Sequence, residues 1–290
     1  MEKVERVAFC GLGIMGGPMA ANLARSGFEL SAWTRTAGKA ERFAAEHGAR
    51  AGSTPAEAAS GADALITMVP DSPEVESTLF GAAGAAGALG SGALVIDMST
   101  IAPSAAKAIG GRLAEDGIDF LEAPVSGSRP RAEDGTLTIM AGGASAAFER
   151  ALPLFEAMGE RIVHVGPSGH GQLAKLLTNT MGAVNAAALA EAVRVVERAG
   201  IDPERFLEVA GGSAGASTVL TLKGRPMFEE SFEPLFKLEH MLKDVRHCLE
   251  EAQRLGVELR LGKVAEALYA RAAEEGHRED DFAAVITAAG

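Results

Sequence analysis

The feature that most constrains the fold is a glycine pattern near the beginning of the chain. A short apolar run, Val7–Cys10, leads at once into Gly11, Leu12, Gly13, Ile14, Met15 and Gly16. The alanine-rich segment Ile14–Ser26 has the composition of a helix and stops at Gly27. A strand, a Gly-x-Gly-x-x-Gly turn and a helix in this order predict the opening βαβ unit of a dinucleotide-binding domain.

Each glycine of this pattern has its own expected role. Gly11 permits the tight turn, Gly13 lets the backbone approach a pyrophosphate, and Gly16 lets the helix pack close to the strand. The pyrophosphate is expected on the N–H groups of the helix N-terminus, where the helix dipole favours an anion. The alternative is a glycine-rich turn that binds nothing, and the agreement of strand, helix and stop signal disfavours it.

The residues after the second predicted strand, Phe28–Trp33, bear on the choice of cofactor. Sites that prefer NAD carry an acid about twenty residues beyond the glycines. This chain instead reads Thr34, Arg35 and Thr36, with Lys39 one turn later. Arg35 can bind a 2′-phosphate in bidentate fashion, and either threonine can donate a hydroxyl. We expect NADP(H) in preference to NAD(H), which stays possible; the alternative is that Arg35 and Lys39 are solvated surface charges.

Composition excludes several classes of function. The chain has 290 residues, enough for two domains or one large one, and a net charge of −12. This charge argues against nucleic acid or an anionic membrane as the main partner. Cys10 and Cys248 form no disulfide framework, which favours a reducing, cytoplasmic location. Neither a signal peptide, a membrane span nor a metal site is expected from the sequence.

The first half of the chain alternates strand-like and helical segments. This alternation predicts an α/β fold with a doubly wound, mostly parallel sheet. The predicted strands are Val7–Cys10, Phe28–Trp33, Ala64–Val69, Leu94–Asp97, Asp119–Leu121, Leu137–Ala141 and Ile162–Val165, and the predicted helices between them include Lys39–His47, Pro73–Phe80, Ser104–Glu115 and Ala144–Met158. The alanine- and glycine-rich run Gly81–Gly92 is interpreted as a tight helix-to-strand connection, with a disordered linker as the alternative.

The pattern changes after Gly166, where no further strand-like run occurs. Gly171–Gly200 is predicted as one long helix, followed by helices over Phe232–Leu255 and Lys263–Glu275. Asp202 and Pro203 have the types expected at the N-cap and first position of another helix. We therefore predict two domains: a Rossmann domain at residues 1–166 and an all-α domain at residues 167–290 that includes the long helix.

Three predicted strands end in segments suited to a ligand crevice, which in open α/β sheets lies at the carboxyl ends of the strands. The third strand ends in Met68-Val69-Pro70-Asp71, and the fourth ends in Asp97-Met98-Ser99-Thr100. Thr100 could bind ribose or carboxamide, or Ser99 or Thr100 could cap the next helix. Ser126 and Gly127 follow the next strand, and their small-residue loop could hold a carboxylate.

The beginning of the long predicted helix carries a lysine among apolar residues. Lys175 and Asn179 are four residues apart and therefore share one helical face. A desolvated lysine loses its proton more readily, which suits proton transfer near neutral pH. From spacing alone, a catalytic Lys175 is hardly favoured over a solvated one.

Taken together, these motifs resemble those of the β-hydroxyacid dehydrogenases, which include 3-hydroxyisobutyrate dehydrogenase, tartronate semialdehyde reductase and glyoxylate/succinic semialdehyde reductase. The resemblance covers essentially the whole chain. It rests on the glycine motif at 11–16, Ala-Pro-Val-Ser-Gly at 123–127, the Lys175/Asn179 helix and Lys243-Asp244.

The resemblance implies roles for individual residues. It makes Lys175 the essential acid/base, lets Asn179 position the substrate and lets the Ser126–Gly127 loop bind the substrate carboxylate. It further places Lys243 at the cofactor, and Phe236 and Asp244 near the cleft. Thr100 becomes an expected contact of cofactor or substrate.

Within the family, the segment Phe120–Ser128 followed by Ala132–Gly135 is similar to the glyoxylate/succinic semialdehyde reductases. Ser128 stands where 3-hydroxyisobutyrate dehydrogenases usually have a second glycine, and His170 stands at a position that is often a small residue; we interpret His170 as a surface residue.

The expected reaction is NADPH-dependent reduction of a small carboxylated aldehyde to a hydroxy acid. Alternatives are 3-hydroxyisobutyrate or tartronate semialdehyde as substrate, an imine reductase, or a silent nucleotide-binding module. A homodimer or homotetramer is expected from the resemblance and from the long alanine-rich helices.

Overall fold

The computed structural model describes residues 4–290 and divides the chain into two compact units. The first unit ends at Lys175, and the second spans Leu176–Gly290. The division therefore falls inside the long helix rather than before it, since the first turns of that helix are hydrogen-bonded to loops of the first unit. A boundary at residues 166 and 167 stays a prediction.

The first unit is built on one sheet, as predicted. Its strands are β1 (Arg6–Cys10), β2 (Glu29–Trp33), β3 (Arg50–Ala51), β4 (Ala64–Thr67), β5 (Leu94–Asp97), β6 (Asp119–Glu122), β7 (Val125–Ser126), β8 (Leu137–Gly143) and β9 (Gly159–Gly166). The order is β3-β2-β1-β4-β5-β6-β8-β7, with β9 beside β8. The strands from β3 to β6 are parallel, and β8 runs antiparallel to β6 and β7. The first six strands follow the order of a Rossmann sheet.

Helices cover both faces of this sheet. They are α1 (Gly16–Arg25), α2 (Lys39–His47), α3 (Pro55–Ala59), α4 (Ser72–Phe80), α5 (Pro103–Glu115), α6 (Ser128–Asp134) and α7 (Ser145–Met158). Along β1, Val7 and Phe9 belong to one buried cluster, whereas Ala8 and Cys10 belong to another. A strand buried on both faces explains why Val7–Cys10 is apolar throughout. The connection Gly81–Gly92 is ordered, with a short 3-10 turn at Ala86–Ala88.

The second unit is helical, as predicted. The helix α8 (His170–Ala199) continues into it from the first unit, and α9 (Pro203–Gly211), α10 (Thr218–Phe228), α11 (Leu238–Arg254) and α12 (Arg260–Ala272) follow. The chain closes with a π-type turn at Ala273–His277 and a 3-10 helix at Phe282–Ala288. Tyr269 lies fully buried in this core. The predicted cap of α9 is confirmed, because the Asp202 side chain accepts a hydrogen bond from the Arg205 N–H at 3.0 Å.

One predicted helix boundary is wrong, and some short elements were not predicted. The helix expected to begin at Phe232 begins at Leu238, because the Leu235 and Phe236 N–H groups donate to the Asp281 carboxylate instead of to a helix. The strand β7 and the helix α6 were not expected.

Among the described residues, no helix has both the length and the apolar character that a membrane crossing requires. Likewise, residues 4–290 contain no cluster of three His, Cys, Asp or Glu side chains that could hold a metal ion.

Candidate active site

The glycine loop has the geometry that a dinucleotide site needs. Gly11 has a φ of +112°, and a Cβ atom on it would collide with the backbone oxygen of Met68. A Cβ atom on Gly16 would collide with the carbonyl oxygen of Gly11, so this glycine lets α1 approach β1. Gly13 is different, because a Cβ atom there would meet nothing within 4 Å. The loop is therefore closed on the protein side and open at Gly13, where a pyrophosphate can approach the backbone.

The loop after β4 lies beside this glycine loop. The Met68 N–H donates to the Cys10 carbonyl at 2.9 Å, and β4 is the neighbour of β1 in the sheet. The strand order reverses here, and ligands of doubly wound sheets bind at such a switch point. Val69, half-buried, and Pro70, exposed, follow β4 at this end of the sheet, and their contact with a cofactor stays a prediction.

The loop after β2 carries the residues expected to recognise a 2′-phosphate. Gly11 N–H donates to the Trp33 carbonyl at 2.8 Å, which holds the end of β2 against the glycine loop. Arg35 and Thr36 follow as exposed residues, and Thr34 is half-buried. The guanidinium therefore belongs to an exposed loop that leaves the sheet next to the glycine motif.

A buried carboxylate organises the loops after β4 and β5. Asp97 is completely buried and accepts hydrogen bonds from the Thr67 hydroxyl at 2.7 Å and the Ser99 N–H at 3.2 Å. Burial raises the pKa of Asp97 from 3.8 to about 6, against the opposing effect of these hydrogen bonds. The Ser99 hydroxyl accepts from the Val69 N–H at 2.9 Å. A cap by Ser99 or Thr100 is therefore wrong: the residue at the N-cap of α5 is Ala102, and it makes no side-chain cap.

Two further buried side chains, which sequence analysis did not single out, hold the start of α8. The Gln172 amide accepts from the Ile101 N–H at 3.1 Å and donates to the Ser99 carbonyl at 2.8 Å. Glu122, the last residue of β6, accepts from the Ser168 hydroxyl at 2.9 Å and from the Gly169 N–H. Burial raises the pKa of Glu122, although these hydrogen bonds act in the opposite direction. Neither residue belongs to a periodic pattern, so the sequence offered no signal for them.

The predicted carboxylate loop has an unusual backbone. Gly127 has a φ of +142° and Ser128 a φ of +56°, the left-handed region that residues other than glycine rarely adopt. A Cβ atom on Gly127 would lie 2.7 Å from the Arg131 side chain. Strained backbone of this kind persists where the surrounding structure holds it, often at ligand sites. Ser126 is half-buried at the end of β7.

Lys175 lies in the second turn of α8 and is only 7% exposed. Burying an ammonium group costs free energy unless the group is paired or hydrogen-bonded, so a buried lysine is a candidate functional residue. His170, the first residue of the same helix, is exposed, which agrees with its interpretation as a surface residue. Gln172 lies between them and is completely buried.

In the second unit, three of the predicted residues form one cluster. Asp244 is fully buried; it accepts a hydrogen bond from the Asn179 amide at 2.6 Å, and the Lys243 ammonium lies 3.1 Å from its other oxygen. Phe236 lies in the loop before α11, half-buried, with its ring centroid 6.3 Å from that of Phe282 in an edge-on arrangement. The structure thus brings Asn179, Lys243 and Asp244 together and places Phe236 in a loop tied to Asp281.

Comparison with known proteins decides the family. Residues 6–166 match the family model described as the NAD binding domain of 6-phosphogluconate dehydrogenase. Residues 169–289 match the model described as "NAD-binding of NADP-dependent 3-hydroxyisobutyrate dehydrogenase". The chain belongs to the β-hydroxyacid dehydrogenase family. It is an NAD(P)-dependent oxidoreductase that acts on hydroxyl groups.

Individual relatives of this β-hydroxyacid dehydrogenase cover nearly its whole length. It is 37% identical to 2-hydroxy-3-oxopropionate reductase of Escherichia coli strain K12, over 98% of this chain and 96% of that protein. It is 33% identical to glyoxylate/succinic semialdehyde reductase 1 of Arabidopsis thaliana, over 97% of each. The solved structure of Mycobacterium tuberculosis 3-hydroxyisobutyrate dehydrogenase with L-serine superposes with a TM-score of 0.88 at 32% identity, over 99% of each chain.

Proposed function

We propose that this β-hydroxyacid dehydrogenase is an NADPH-dependent reductase of small carboxylated aldehydes, such as glyoxylate and succinic semialdehyde, with Lys175 as the general acid. The observation that carries the proposal is a buried lysine in α8, a helix whose first turn is hydrogen-bonded to the loop after β5 and whose preceding residues are hydrogen-bonded to the last residue of β6. When bound, the reduced nicotinamide supplies the hydride. The protein has to bind the substrate, orient it and deliver a proton.

Lys175 is proposed to donate that proton. Negative charge grows on the carbonyl oxygen during reduction, and an ammonium group beside that oxygen both stabilises the charge and protonates it. Burial strengthens the interaction, because little water screens it. In the oxidation direction, neutral Lys175 removes the hydroxyl proton, so oxidation is expected to gain at higher pH.

The substrate carboxylate is proposed to bind at Ser126 and the Gly127 N–H, with help from Asn179. The strained backbone at Gly127 and Ser128 supports this part of the proposal. In the second unit, the Asp244 carboxylate orients the Asn179 amide, and Phe236 is proposed to bound the substrate pocket. Lys243 is proposed to reach the cofactor, and Thr100 to contact cofactor or substrate.

Preference for NADP(H) over NAD(H) rests on Arg35 with Thr34 and Thr36. An exposed arginine beside the glycine loop suits a 2′-phosphate, and no carboxylate is present at 34–36 to repel it. Arg35→Ala is expected to raise KM for NADPH by about tenfold or more, with KM for NADH within twofold, because a charged contact contributes about 1.5–3 kcal/mol. Equal effects on the two cofactors would contradict the assignment of Arg35. Arg205→Ala, an exposed arginine in α9, is the matched control.

A second candidate substrate is 2-hydroxy-3-oxopropionate (tartronate semialdehyde), because identity is higher to the Escherichia coli reductase, 37%, than to the Arabidopsis thaliana reductase, 33%. Association into dimers or tetramers is also proposed. It is supported by exposed apolar residues of α8, including Met181, which is 66% exposed.

The test is turnover of NADPH and NADH with glyoxylate, succinic semialdehyde, tartronate semialdehyde and methylmalonate semialdehyde, together with oxidation of 3-hydroxyisobutyrate. We expect NADPH-linked reduction of one of the first two. NAD-linked oxidation of 3-hydroxyisobutyrate would keep the family but overturn the substrate and cofactor proposals.

Lys175→Ala tests the assignment of the acid. It is expected to lower kcat by several powers of ten while NADPH binding stays nearly unchanged. Lys263→Ala, a surface lysine of α12, serves as the matched control. Retention of more than about a tenth of wild-type kcat, which is less than about 1.4 kcal/mol of barrier, would contradict the role of Lys175.

A further inference from the structure

The side-chain amide of Gln172 is hydrogen-bonded to the two residues that flank Thr100. The Gln172 Nε2 group donates to the carbonyl of Ser99, and its Oε1 atom accepts from the N–H of Ile101. These are the residues immediately before and after Thr100. The backbone on both sides of Thr100 is therefore fixed by one amide, while the Thr100 side chain takes no part in this contact.

The same amide is rigidly connected to Lys175. Gln172 and Lys175 are three residues apart in α8, and residues at this spacing are neighbours on a helix surface. Between them lies only helical backbone, whose rise is about 1.5 Å per residue. The position of the Thr100 backbone relative to the Lys175 backbone is thus set by two hydrogen bonds and one helical turn.

The start of α8 is also held by a second set of hydrogen bonds, to the Glu122 carboxylate. The Glu122 carboxylate accepts hydrogen bonds from the Ser168 hydroxyl and the Gly169 N–H, and also from the Gly171 N–H. A carboxylate at a helix N-terminus is favoured by the helix dipole. Glu122 ends β6, so the start of α8 is held from two neighbouring strand ends, at Asp97 and at Glu122, which pair in register.

We infer that Gln172 is a positioning residue of this enzyme, whose amide sets the distance between the Thr100 loop and the proton donor Lys175. This inference rests on the role proposed for Lys175. A buried amide that served packing alone could be replaced by an apolar side chain of similar size, whereas here both ends of the amide are hydrogen-bonded to a loop at the ligand crevice. Displacements of about 1 Å at an active site can lower rates by about 100-fold.

The first test is Gln172→Met, which keeps the length of the side chain and removes both hydrogen bonds. We expect kcat to fall by about 10- to 100-fold, with the dissociation constant for NADPH changed little. The thermal midpoint is also expected to fall, because the Ser99 carbonyl and the Ile101 N–H lose their buried partner, so kcat is measured well below that midpoint. Gln253→Met, at an exposed glutamine of α11, is the matched control and is expected to behave as wild type. A kcat of Gln172→Met within twofold of wild type would overturn the inference.

A single turnover separates mispositioning from partial unfolding. With the enzyme in excess over NADPH and the aldehyde saturating, mispositioning lowers the first-order rate constant of hydride transfer, whereas a smaller folded fraction that is still in excess leaves this rate constant unchanged; NADPH deuterated at the transferred position identifies the step. An unchanged single-turnover rate constant together with a reduced kcat would therefore contradict a positioning role.

A double-mutant cycle locates the effect. Thr100→Val and Gln172→Met are expected to be strongly non-additive in kcat, because Gln172 acts through the Thr100 loop. Additive effects would contradict that path. If Gln172→Met does not fold, the nearly isosteric Gln172→Glu replaces it: a protonated carboxyl can reproduce both hydrogen bonds, so its kcat relative to wild type is expected to rise as the pH falls, and a flat ratio would count against the inference.

The outcome for Lys175→Ala distinguishes this inference from the proposed function. If Lys175→Ala stays active, the role of Lys175 fails and the inference fails with it. If Lys175→Ala is inactive and Gln172→Met matches wild type in kcat and in the single-turnover rate constant, only the positioning role fails.

Discussion

The two units bury an aspartate in opposite ways. In the first unit, Asp97 is completely buried and accepts hydrogen bonds only from neutral groups, the Thr67 hydroxyl and the Ser99 N–H. Its Oδ2 atom has no hydrogen-bond partner among residues 4–290. In the second unit, Asp281 is 2% exposed and pairs with the equally buried Lys223 ammonium at 2.8 Å.

The surroundings of Asp281 are also richer in donors. Its carboxylate accepts from the N–H groups of Leu235 and Phe236 at 3.0 and 3.2 Å, and from that of Ala283 at 3.0 Å. A buried charge needs a partner charge and hydrogen bonds, or it shifts its pKa and becomes neutral. Asp281 has the partner charge and the hydrogen bonds, whereas Asp97 has no partner charge and burial raises its pKa to about 6. We therefore expect the stability of the second unit to depend on Lys223, and the stability of the first unit to depend on pH.

The largest expected effect is that of Lys223→Met on the second unit. The substitution keeps an unbranched apolar side chain and removes the ammonium, so the Asp281 carboxylate stays buried without its counter-charge. Breaking a buried pair in this way costs about 3–5 kcal/mol in the free energy of unfolding. Urea denaturation followed by far-ultraviolet circular dichroism measures the loss. Because both units contain helices, Trp33 fluorescence is recorded alongside to identify the transition of the first unit.

Lys263→Met is the matched control for this experiment. Lys263 pairs with Glu258 at 3.0 Å on the surface, where both side chains are more than half exposed. Surface pairs of this kind contribute little, so the control is expected to unfold as wild type does. Equal stability of the two variants would remove the contrast between the units, because the buried pair would then contribute no more than an exposed one.

The second prediction concerns the pH dependence of the first unit. The Asp97 carboxyl keeps its proton up to about pH 6 when folded, but only to about pH 3.8 when unfolded. The folded state therefore binds more protons between these values, and the free energy of unfolding decreases as the pH rises through this range. The full shift corresponds to about 3 kcal/mol, of which about 2.5 kcal/mol falls between pH 3.8 and neutrality. Asp97→Asn is expected to remove this part of the pH dependence.

Fluorescence of Trp33, the only tryptophan, reports on the first unit during urea denaturation. The difference in the free energy of unfolding between wild type and Asp97→Asn should change by about 2.4 kcal/mol from pH 4 to pH 7. Asp116→Asn, at an exposed position after α5, is the control and should follow wild type. Parallel pH profiles for wild type and Asp97→Asn would show that Asp97 carries no such shift, although Glu122, whose pKa burial also raises, contributes its own dependence.

The outline of the fold could be predicted from the sequence because it follows from local patterns. Apolar strands such as Val7–Cys10, the glycines at 11, 13 and 16, and the long apolar stretch of α8 each specify an element within a few residues. The cap at Asp202 was predictable for the same reason, since its partner is three residues away. The contacts of Asp97 with Thr67, of Gln172 with the Ser99–Ile101 loop and of Asp281 with Lys223 were not, because these partners lie between 30 and 73 residues away and depend on the folded arrangement.

The wrong predictions have the same origin. Phe232–Lys237 has a helical composition, but Pro234 and the distant Asp281 carboxylate hold its backbone out of the helix. Ser99 has the type of a helix cap, yet its hydroxyl is used by Val69, thirty residues earlier. Candidate site residues were found where a family motif named them, whereas the side chains that hold them in place carry no motif.

The smallest expected effects, finally, should be alike in both units, because a helix cap acts locally and does not depend on how a unit buries its charges. Thr54 caps α3 by accepting from the Glu57 N–H at 3.1 Å, and Asp202 caps α9 by accepting from the Arg205 N–H at 3.0 Å. Thr54→Ala and Asp202→Ala should each lower the free energy of unfolding by about 1 kcal/mol, the first measured by Trp33 fluorescence and the second by circular dichroism. Thr54→Ser and Asp202→Asn keep an acceptor oxygen and should restore most of the loss. If removing the cap lowered the free energy of unfolding several times more in one unit than in the other, the units would differ in more than the surroundings of Asp97 and Asp281.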